Sequence, residues 1–225
     1  SVSKLKEKIQ LFVENSEEIP PLLIATLGAY EPLHKFNWAH NLLSKKRNDK
    51  NKLLIERQIS EPLIERRLRT QINQLTTIQE PISKTVRDQY EENPYPRWIK
   101  TSVSDEQKSI NEILRDHKID AGEYLFPENP DILIAGCGSG QHALITASRF
   151  KNARIFALDL SLSSIAYALR KSDEIGISNV EYAQADINEL SNFNRHFDCI
   201  ESVGVLHHLE DPIKGWEILT KLLKP

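Results

Sequence analysis

The stretch DILIAGCGSGQHALITASRFKNARIFALDLS, residues 131–161, constrains the fold of this 225-residue chain more than any other. An apolar run leads into three glycines at alternate positions, a segment with helical periodicity follows, and a second apolar run ends at Asp159. This order predicts a βαβ unit with two parallel strands. Strand-like runs at 180–183 and 197–203, separated by helical segments, extend it to a parallel sheet with helices on both faces. Ligands of such sheets bind at the carboxyl ends of the strands.

The composition is that of an ordinary soluble globular protein, with 40% hydrophobic and 27% charged residues. No apolar stretch approaches the roughly 20 residues that cross a bilayer, and no signal peptide opens the sequence. Cys137 and Cys199 lie in apolar, strand-like contexts. Two buried free thiols in a reducing compartment are therefore expected, and a cytoplasmic location is predicted.

The pattern divides the chain into three regions. Residues 1–92 carry apolar residues at helical spacing and are predicted to be a helical accessory region, broken near Pro62, that offers a homodimer interface. Residues 93–130 are predicted to be a linker or lid followed by a capped helix. Residues 131–225 are predicted to be the α/β domain.

The segment NPYPRW, residues 93–98, separates the first two regions. Its prolines should end the preceding helix at about Glu92. Tyr95, Arg97 and Trp98 are candidates for a lid over the site, or for aromatic anchors of an extended linker. Downstream, Ser104 and Gln107 are predicted to form a capping box.

Basic residues cluster weakly in the N-terminal region. They are Lys45, Lys46, Arg47, Lys50 and Lys52, followed by Arg66, Arg67 and Arg69. Acidic residues at 56, 61 and 65 interleave with them. This alternation is typical of solvated helix faces, so no nucleic-acid site is predicted.

The glycine motif indicates which kind of ligand the turn accepts. Gly136, Gly138 and Gly140 form G-x-G-x-G, which permits a tight strand-to-helix turn and a close approach of backbone to a ligand. A dinucleotide fingerprint, G-x-G-x-x-G, has a glycine where this chain has Gln141. A nucleotide site without a pyrophosphate position is therefore favoured.

Two aspartates stand at the ends of successive predicted strands. Asp159 can accept hydrogen bonds from both hydroxyls of a ribose, although it could instead cap the next helix, for which Ser161 is at least as good. Asp186, in YAQADINEL, can accept a hydrogen bond from an exocyclic amine such as that of adenine, or can simply begin a loop.

Residues 131–225 resemble the class I S-adenosylmethionine-dependent methyltransferases. ILIAGCGSG resembles their glycine motif, IFALDLS their ribose acid, AQADI their adenine contact, and SVGVLHHLEDP the segment after their fourth strand. Upstream, EPLIERRL and YEENPYPRW are similar to a bacterial subgroup that is often fused to tetratricopeptide repeats.

The resemblance implies a Rossmann-like sheet and S-adenosyl-L-methionine as cofactor. The cofactor-binding residues that it implies are Gly136, Cys137, Gly138, Gly140, Asp159, Leu160, Asp186, Ile187, Ser202 and Val203. The family usually has an acidic residue two positions before the first glycine, to help hold the methionine ammonium, and this chain has Ile134 there. Four strands of a seven-stranded fold precede Pro225, so the chain is expected to be a fragment lacking the C-terminal strands.

Catalysis by such an enzyme needs alignment of methyl group and nucleophile, and a general base only when the acceptor carries a proton. The candidate catalytic residues are Glu201, His207 and Tyr95, with His208 as the alternative histidine. The histidine pair has no third ligand at suitable spacing, so no metal is expected. The helical region favours a protein acceptor, such as a lysine side chain, over a small molecule.

Three functions remain open on the sequence. The first is an active methyltransferase. The second is a nicotinamide-dependent oxidoreductase, against which Gln141 and the absence of a catalytic Tyr-x-x-x-Lys both count. The third is a cofactor-binding or scaffolding module without catalysis, which Ile134 leaves open.

Overall fold

The computed structural model describes residues 1–43 and 51–225, which divide into two compact units, 1–67 and 68–225. Of the basic residues above, Lys45, Lys46, Arg47 and Lys50 lie outside the described residues. The helices are α1 (Val2–Glu14), α2 (Pro21–Gly28), α3 (Lys52–Ile55), α4 (Glu61–Arg69), α5 (Pro81–Glu92), α6 (Ile110–Asp116), α7 (Gln141–Arg149), α8 (Leu162–Ile175) and α9 (Pro212–Thr220). The strands are β1 (Asn73–Gln74), β2 (Asp131–Ala135), β3 (Arg154–Asp159), β4 (Val180–Gln184) and β5 (Cys199–Glu201). No helix within the described ranges is long and apolar enough to span a membrane.

The first unit is helical. Its fully buried side chains include Ile9, Ile24, Leu27 and Leu33. The predicted break near Pro62 is wrong, because a π-helical turn over Glu56–Ser60 joins α3 directly to α4. A proline in a regular helix would press its ring on the carbonyl four residues earlier. The wider π turn just before Pro62 lets the helix continue.

The second unit contains a five-stranded sheet in the order β1-β4-β3-β2-β5, and every pair is parallel. The chain crosses from one side of β2 to the other between β4 and β5, which makes the carboxyl end of β2 the point where strand order reverses. The predicted α/β class is confirmed. The two-residue β1 was not predicted, and the strand predicted over 197–203 is shorter, Cys199–Glu201.

Alternation along β2 explains how the sheet is covered. Ile132 and Ile134 pack into one apolar cluster with side chains of α7 and α8. Leu133 and Ala135 pack on the opposite face with side chains of α9. A strand that buries both faces reads as a continuous apolar run, and this is what the sequence shows.

Three details differ from expectation. The capping box is formed by Ser109 and Glu112 at the start of α6, whereas the hydroxyl of Ser104 donates to the carbonyl of Glu106. The division between the units falls at residue 67, so the predicted linker and part of the accessory region belong to the same unit as the sheet. Cys199 is only half-buried, while Cys137 is buried.

Candidate functional site

A cavity of about 420 Å³ opens at the carboxyl ends of β2, β3 and β4. Its volume is within the range of small-molecule sites. Eight of the ten predicted cofactor-binding residues line it, namely Gly136, Cys137, Gly138, Asp159, Leu160, Asp186, Ile187 and Val203. The structure therefore brings together residues that span almost 70 positions of sequence.

The other two predicted residues do not line the cavity. A Cβ on Gly140 would lie 2.4 Å from the Cβ of Ala168, so this glycine lets the start of α7 approach α8. The hydroxyl of Ser202 donates to the carbonyl of Ala135 at 3.1 Å and ties β5 to the end of β2. Both residues shape the site from behind its wall.

Asp159 is built into the glycine turn. One carboxylate oxygen accepts from the backbone N–H of Gly138 at 2.7 Å, and the other accepts from the N–H of Ser161 at 2.9 Å. Burial raises the pKa of Asp159, and these backbone hydrogen bonds act in the opposite direction. A carboxylate has about four acceptor positions, so capacity remains for donors on a ligand. Ser161 caps α8 through its own hydroxyl, so the cap does not depend on Asp159.

Asp186 presents an incompletely bonded carboxylate to the cavity. Its side chain is fully buried, and Oδ1 accepts from the N–H of Asn188 at 3.0 Å. Among the described residues, no group hydrogen-bonds Oδ2. A buried acceptor without a partner is costly, so a donor supplied by a ligand would be strongly favoured there.

Residues 94–98, called the strap here, are fastened to the glycine turn by Ser139. The hydroxyl of Ser139 donates to the carbonyl of Pro96 at 2.5 Å, and the indole N–H of Trp98 donates to the carbonyl of Ser139 at 3.1 Å. Tyr95 lines the cavity mouth and is 72% exposed. Arg97 instead lies over the ring of Tyr167, 5.1 Å from its centroid. Tyr95 of the strap is thus part of the cavity wall, and Trp98 anchors the strap to the glycine turn.

Helix α5 contributes a wall that the sequence reading missed. Ser83, Val86 and Tyr90 line the cavity from one face of this helix. Their spacing of three and four residues is that of a helix face, which is the signal that could have identified them. Glu91 fixes the helix, because its carboxylate accepts from the N–H of Leu162 at 2.5 Å, at the start of α8.

The predicted catalytic residues are placed differently from one another. Tyr95 and His208 line the cavity, and His207 does not. The ring centroids of His207 and His208 lie 4.1 Å apart. Glu201 is not on the cavity wall. Its Oε2 lies 2.8 Å from Nε2 of His142 and accepts from the hydroxyl of Thr146 at 2.8 Å.

The pair of His142 and Glu201 was not predicted. Burial acts to raise the pKa of Glu201, but the contacts with His142 and Thr146 outweigh it, and the pKa ends below its ordinary value. Contact with Glu201 raises the pKa of His142 against the opposing effect of burial. His142 lines the cavity, so the pair places there an imidazole whose protonated form Glu201 favours.

Over residues 1–43 and 51–225, no group of three or more His, Cys, Asp or Glu side chains is arranged to hold a metal ion.

Comparison with known proteins finds similarity in the part of the chain that forms most of the sheet and the cavity. A family model described as "Methyltransferase domain" matches residues 132–225. An uncharacterized protein of Synechococcus sp. is 36% identical over 97 residues, which are 43% of this chain and 23% of that protein. The malonyl-[acyl-carrier protein] O-methyltransferase of Acetivibrio thermocellus is 36% identical over 81 residues, 36% of this chain and 27% of that enzyme.

A third relative is the trans-aconitate 2-methyltransferase of Deinococcus radiodurans, 34% identical over 103 residues, 45% of this chain and 37% of that enzyme. The chain thus spans between 23% and 37% of the length of these relatives. The family match agrees with the parallel sheet, its reversal of order at β2, and the glycine turn followed by acids at the next two strand ends. Residues 132–225 therefore match a methyltransferase-domain model, in agreement with their resemblance to the class I S-adenosylmethionine-dependent methyltransferases.

Proposed function

We propose that this chain transfers the methyl group of S-adenosylmethionine to an acceptor that enters at the mouth of the cavity. The observation that carries the proposal is the buried, unpartnered Oδ2 of Asp186, in the same cavity as the carboxylate of Asp159. An adenosine offers an amine to the first group and two hydroxyls to the second. The nicotinamide alternative is weaker, because Gln141 stands where a pyrophosphate motif has glycine.

The residues present fit the cofactor. Asp186 would accept from the adenine amine, with Leu160 and Ile187 as apolar neighbours on the cavity wall. Asp159 would accept from the ribose hydroxyls, and Gly138 leaves space for close approach, since a Cβ there would meet nothing nearer than 3.6 Å. When bound, the cofactor supplies a methyl group on a sulfonium, which departs as a neutral thioether.

The protein's part in such a reaction is to align the acceptor and to exclude water. The strap, α5 and Val203 surround the cavity mouth. Tyr95 and His208 are two polar side chains of the cavity wall that could receive an acceptor proton. Glu201 is a poor base by comparison, because its carboxylate is engaged by His142 and Thr146 and its pKa is lowered.

Whether the reaction needs a general base depends on the acceptor. The sequence reading favoured a protein lysine, which must lose a proton before attack, and His208 or Tyr95 would then be required. A small carboxylic acid is the second candidate, because two of the relatives are named for malonyl-[acyl-carrier protein] and trans-aconitate. Carboxylates are ionised at neutral pH and need no base.

Four narrower proposals accompany this one. The YEENPYPRW segment belongs to the subgroup that is often fused to tetratricopeptide repeats, and the strap is its structural counterpart. The protein works in the cytoplasm. The helical N-terminal region forms a homodimer, which sedimentation equilibrium of the wild-type protein tests directly. No nucleic acid binds this chain.

The experiment is titration calorimetry with S-adenosylhomocysteine, followed by transfer of a radiolabelled methyl group from S-adenosylmethionine. Wild-type protein should bind S-adenosylhomocysteine, and Asp186→Asn should weaken it by about tenfold or more, since a donor then faces a donor. Label should appear in protein or in small acids according to the acceptor. Binding without transfer to either would favour the non-catalytic module.

A further inference from the structure

The glycine motif lacks an acid at Ile134, but the structure places an acid directly beside it. Ile134 on β2 and Glu201 on β5 are partners in the parallel register. Side chains of paired residues in neighbouring strands point to the same face of the sheet. A carboxylate is therefore present on the neighbouring strand, on the same face of the sheet as Ile134.

Glu201 does not line the cavity, whereas His142, which is paired with Glu201, does. Nε2 of His142 is buried and lies 2.8 Å from Oε2 of Glu201, an ion-pair distance without hydrogen-bond geometry at Nε2. The side chain is nevertheless 40% exposed, so its exposed atoms are on the rest of the ring. The ring thus lies beside the Glu201 carboxylate and lines the cavity.

We infer that His142, protonated and oriented by Glu201 and Thr146, binds the α-carboxylate at the amino-acid end of the cofactor. This inference rests on the proposed function. A protonated imidazole attracts a carboxylate and repels an ammonium, so of the two charged groups at that end it selects the carboxylate. His142 also occupies the first turn of α7, where the helix dipole favours an anion. Glu201 and Thr146 are positioning residues.

The test compares two ligands that differ only at this end. S-adenosylhomocysteine carries the amino-acid group, whereas 5′-methylthioadenosine shares the adenosine and the thioether but has no carboxylate. His142→Asn should weaken S-adenosylhomocysteine by about tenfold or more, as expected for a lost charge-assisted hydrogen bond, and should change 5′-methylthioadenosine by less than about twofold. The affinity for S-adenosylhomocysteine divided by that for 5′-methylthioadenosine is thus expected to fall in His142→Asn. Glu201→Gln should lower this affinity ratio by a smaller factor.

Four further variants make the outcome decisive. His196→Asn, an exposed histidine away from the cavity, should bind both ligands as wild type does. Asp186→Asn should weaken both ligands together. His142→Lys restores a cation and should recover part of the ratio of the two affinities. Thr146→Val removes the hydroxyl that donates to Glu201 and leaves the charge unchanged.

Equal affinities of wild type and His142→Asn for S-adenosylhomocysteine would overturn this inference alone. Equal losses for both ligands in His142→Asn would also overturn it, by showing a general structural effect. Failure of the wild-type protein to bind either ligand would overturn the proposed function as well.

Discussion

Alanine substitutions at two glycines of one motif are expected to differ in their effects on stability and on ligand binding. Gly138 and Gly140 both have positive φ, +52° and +82°, so alanine is strained at either position. At Gly140 the new Cβ would lie 2.4 Å from the Cβ of Ala168, inside the packed contact between α7 and α8. At Gly138 the nearest atom would be the carbonyl oxygen of Tyr95, at 3.6 Å.

The magnitudes follow from these distances. The left-handed conformation costs an alanine about 1–2 kcal/mol at both positions. Overpacking adds about 1–3 kcal/mol at Gly140, where the contact is impossible without movement, and adds nothing at Gly138. The two variants should therefore differ by about 2 kcal/mol in free energy of unfolding. For a chain of this size the difference corresponds to about 4–8 °C in Tm.

Binding should rank the variants in the opposite order. The methyl group of Gly138→Ala enters the space where a ligand meets the turn, so affinity for S-adenosylhomocysteine should fall by about tenfold or more. Gly140→Ala, studied below its Tm, should keep its affinity within about threefold. Thermal unfolding by circular dichroism and calorimetric titration of the same samples measure both quantities. Equal losses of Tm, or a larger loss of affinity in Gly140→Ala, would refute the reasoning.

Three further predictions concern charge. Affinity for S-adenosylhomocysteine should fall at high pH as His142 deprotonates through its raised pKa, and at low pH as Asp159 protonates through its raised pKa, so calorimetry should show a maximum between them. Glu201 is the charged group acting on His142 from β5, and the high-pH limb should vanish in His142→Asn. Glu91→Ala should lower Tm by about 2–8 °C, because the N–H groups at the start of α8 lose their acceptor; an unchanged melting curve would contradict this. Asp159→Ala should lower Tm as well as affinity, whereas Asp159→Asn, which keeps one acceptor, should lower mainly affinity.

The parts of the site that could be predicted are those set by local pattern. Strand periodicity located β2, β3 and β4, and parallel strands bring their carboxyl ends to one edge, so Gly138, Asp159 and Asp186 could be expected to meet. Their shared cavity agrees with that expectation. The double role of Asp159, as an acceptor for the turn and as a candidate ligand group, depends on side-chain geometry that spacing does not show.

The parts that could not be predicted depend on which distant segments pair. The neighbours Ile134 and Glu201 are 67 positions apart, and only the register of β2 with β5 reveals that one supplies the acid the other lacks. Ser139 is an unremarkable residue of the glycine motif until the strap is seen docked on it. The spacing of Ser83, Val86 and Tyr90 indicates one face of α5, but that this face lines the cavity depends on how α5 packs on α8. Tertiary packing decides all three.

Thermal unfolding with S-adenosylhomocysteine, with NAD as the control ligand and Asp159→Asn as the control protein, is the first measurement to make. A ligand at a hundredfold its Kd adds about 2.7 kcal/mol to the free energy of unfolding, a rise of about 5–11 °C in Tm for a chain of this size. A rise with S-adenosylhomocysteine alone, reduced in Asp159→Asn, is the predicted result. A rise with NAD, or none with S-adenosylhomocysteine in a cooperatively folded sample, would contradict the assignment of this cavity to S-adenosylmethionine.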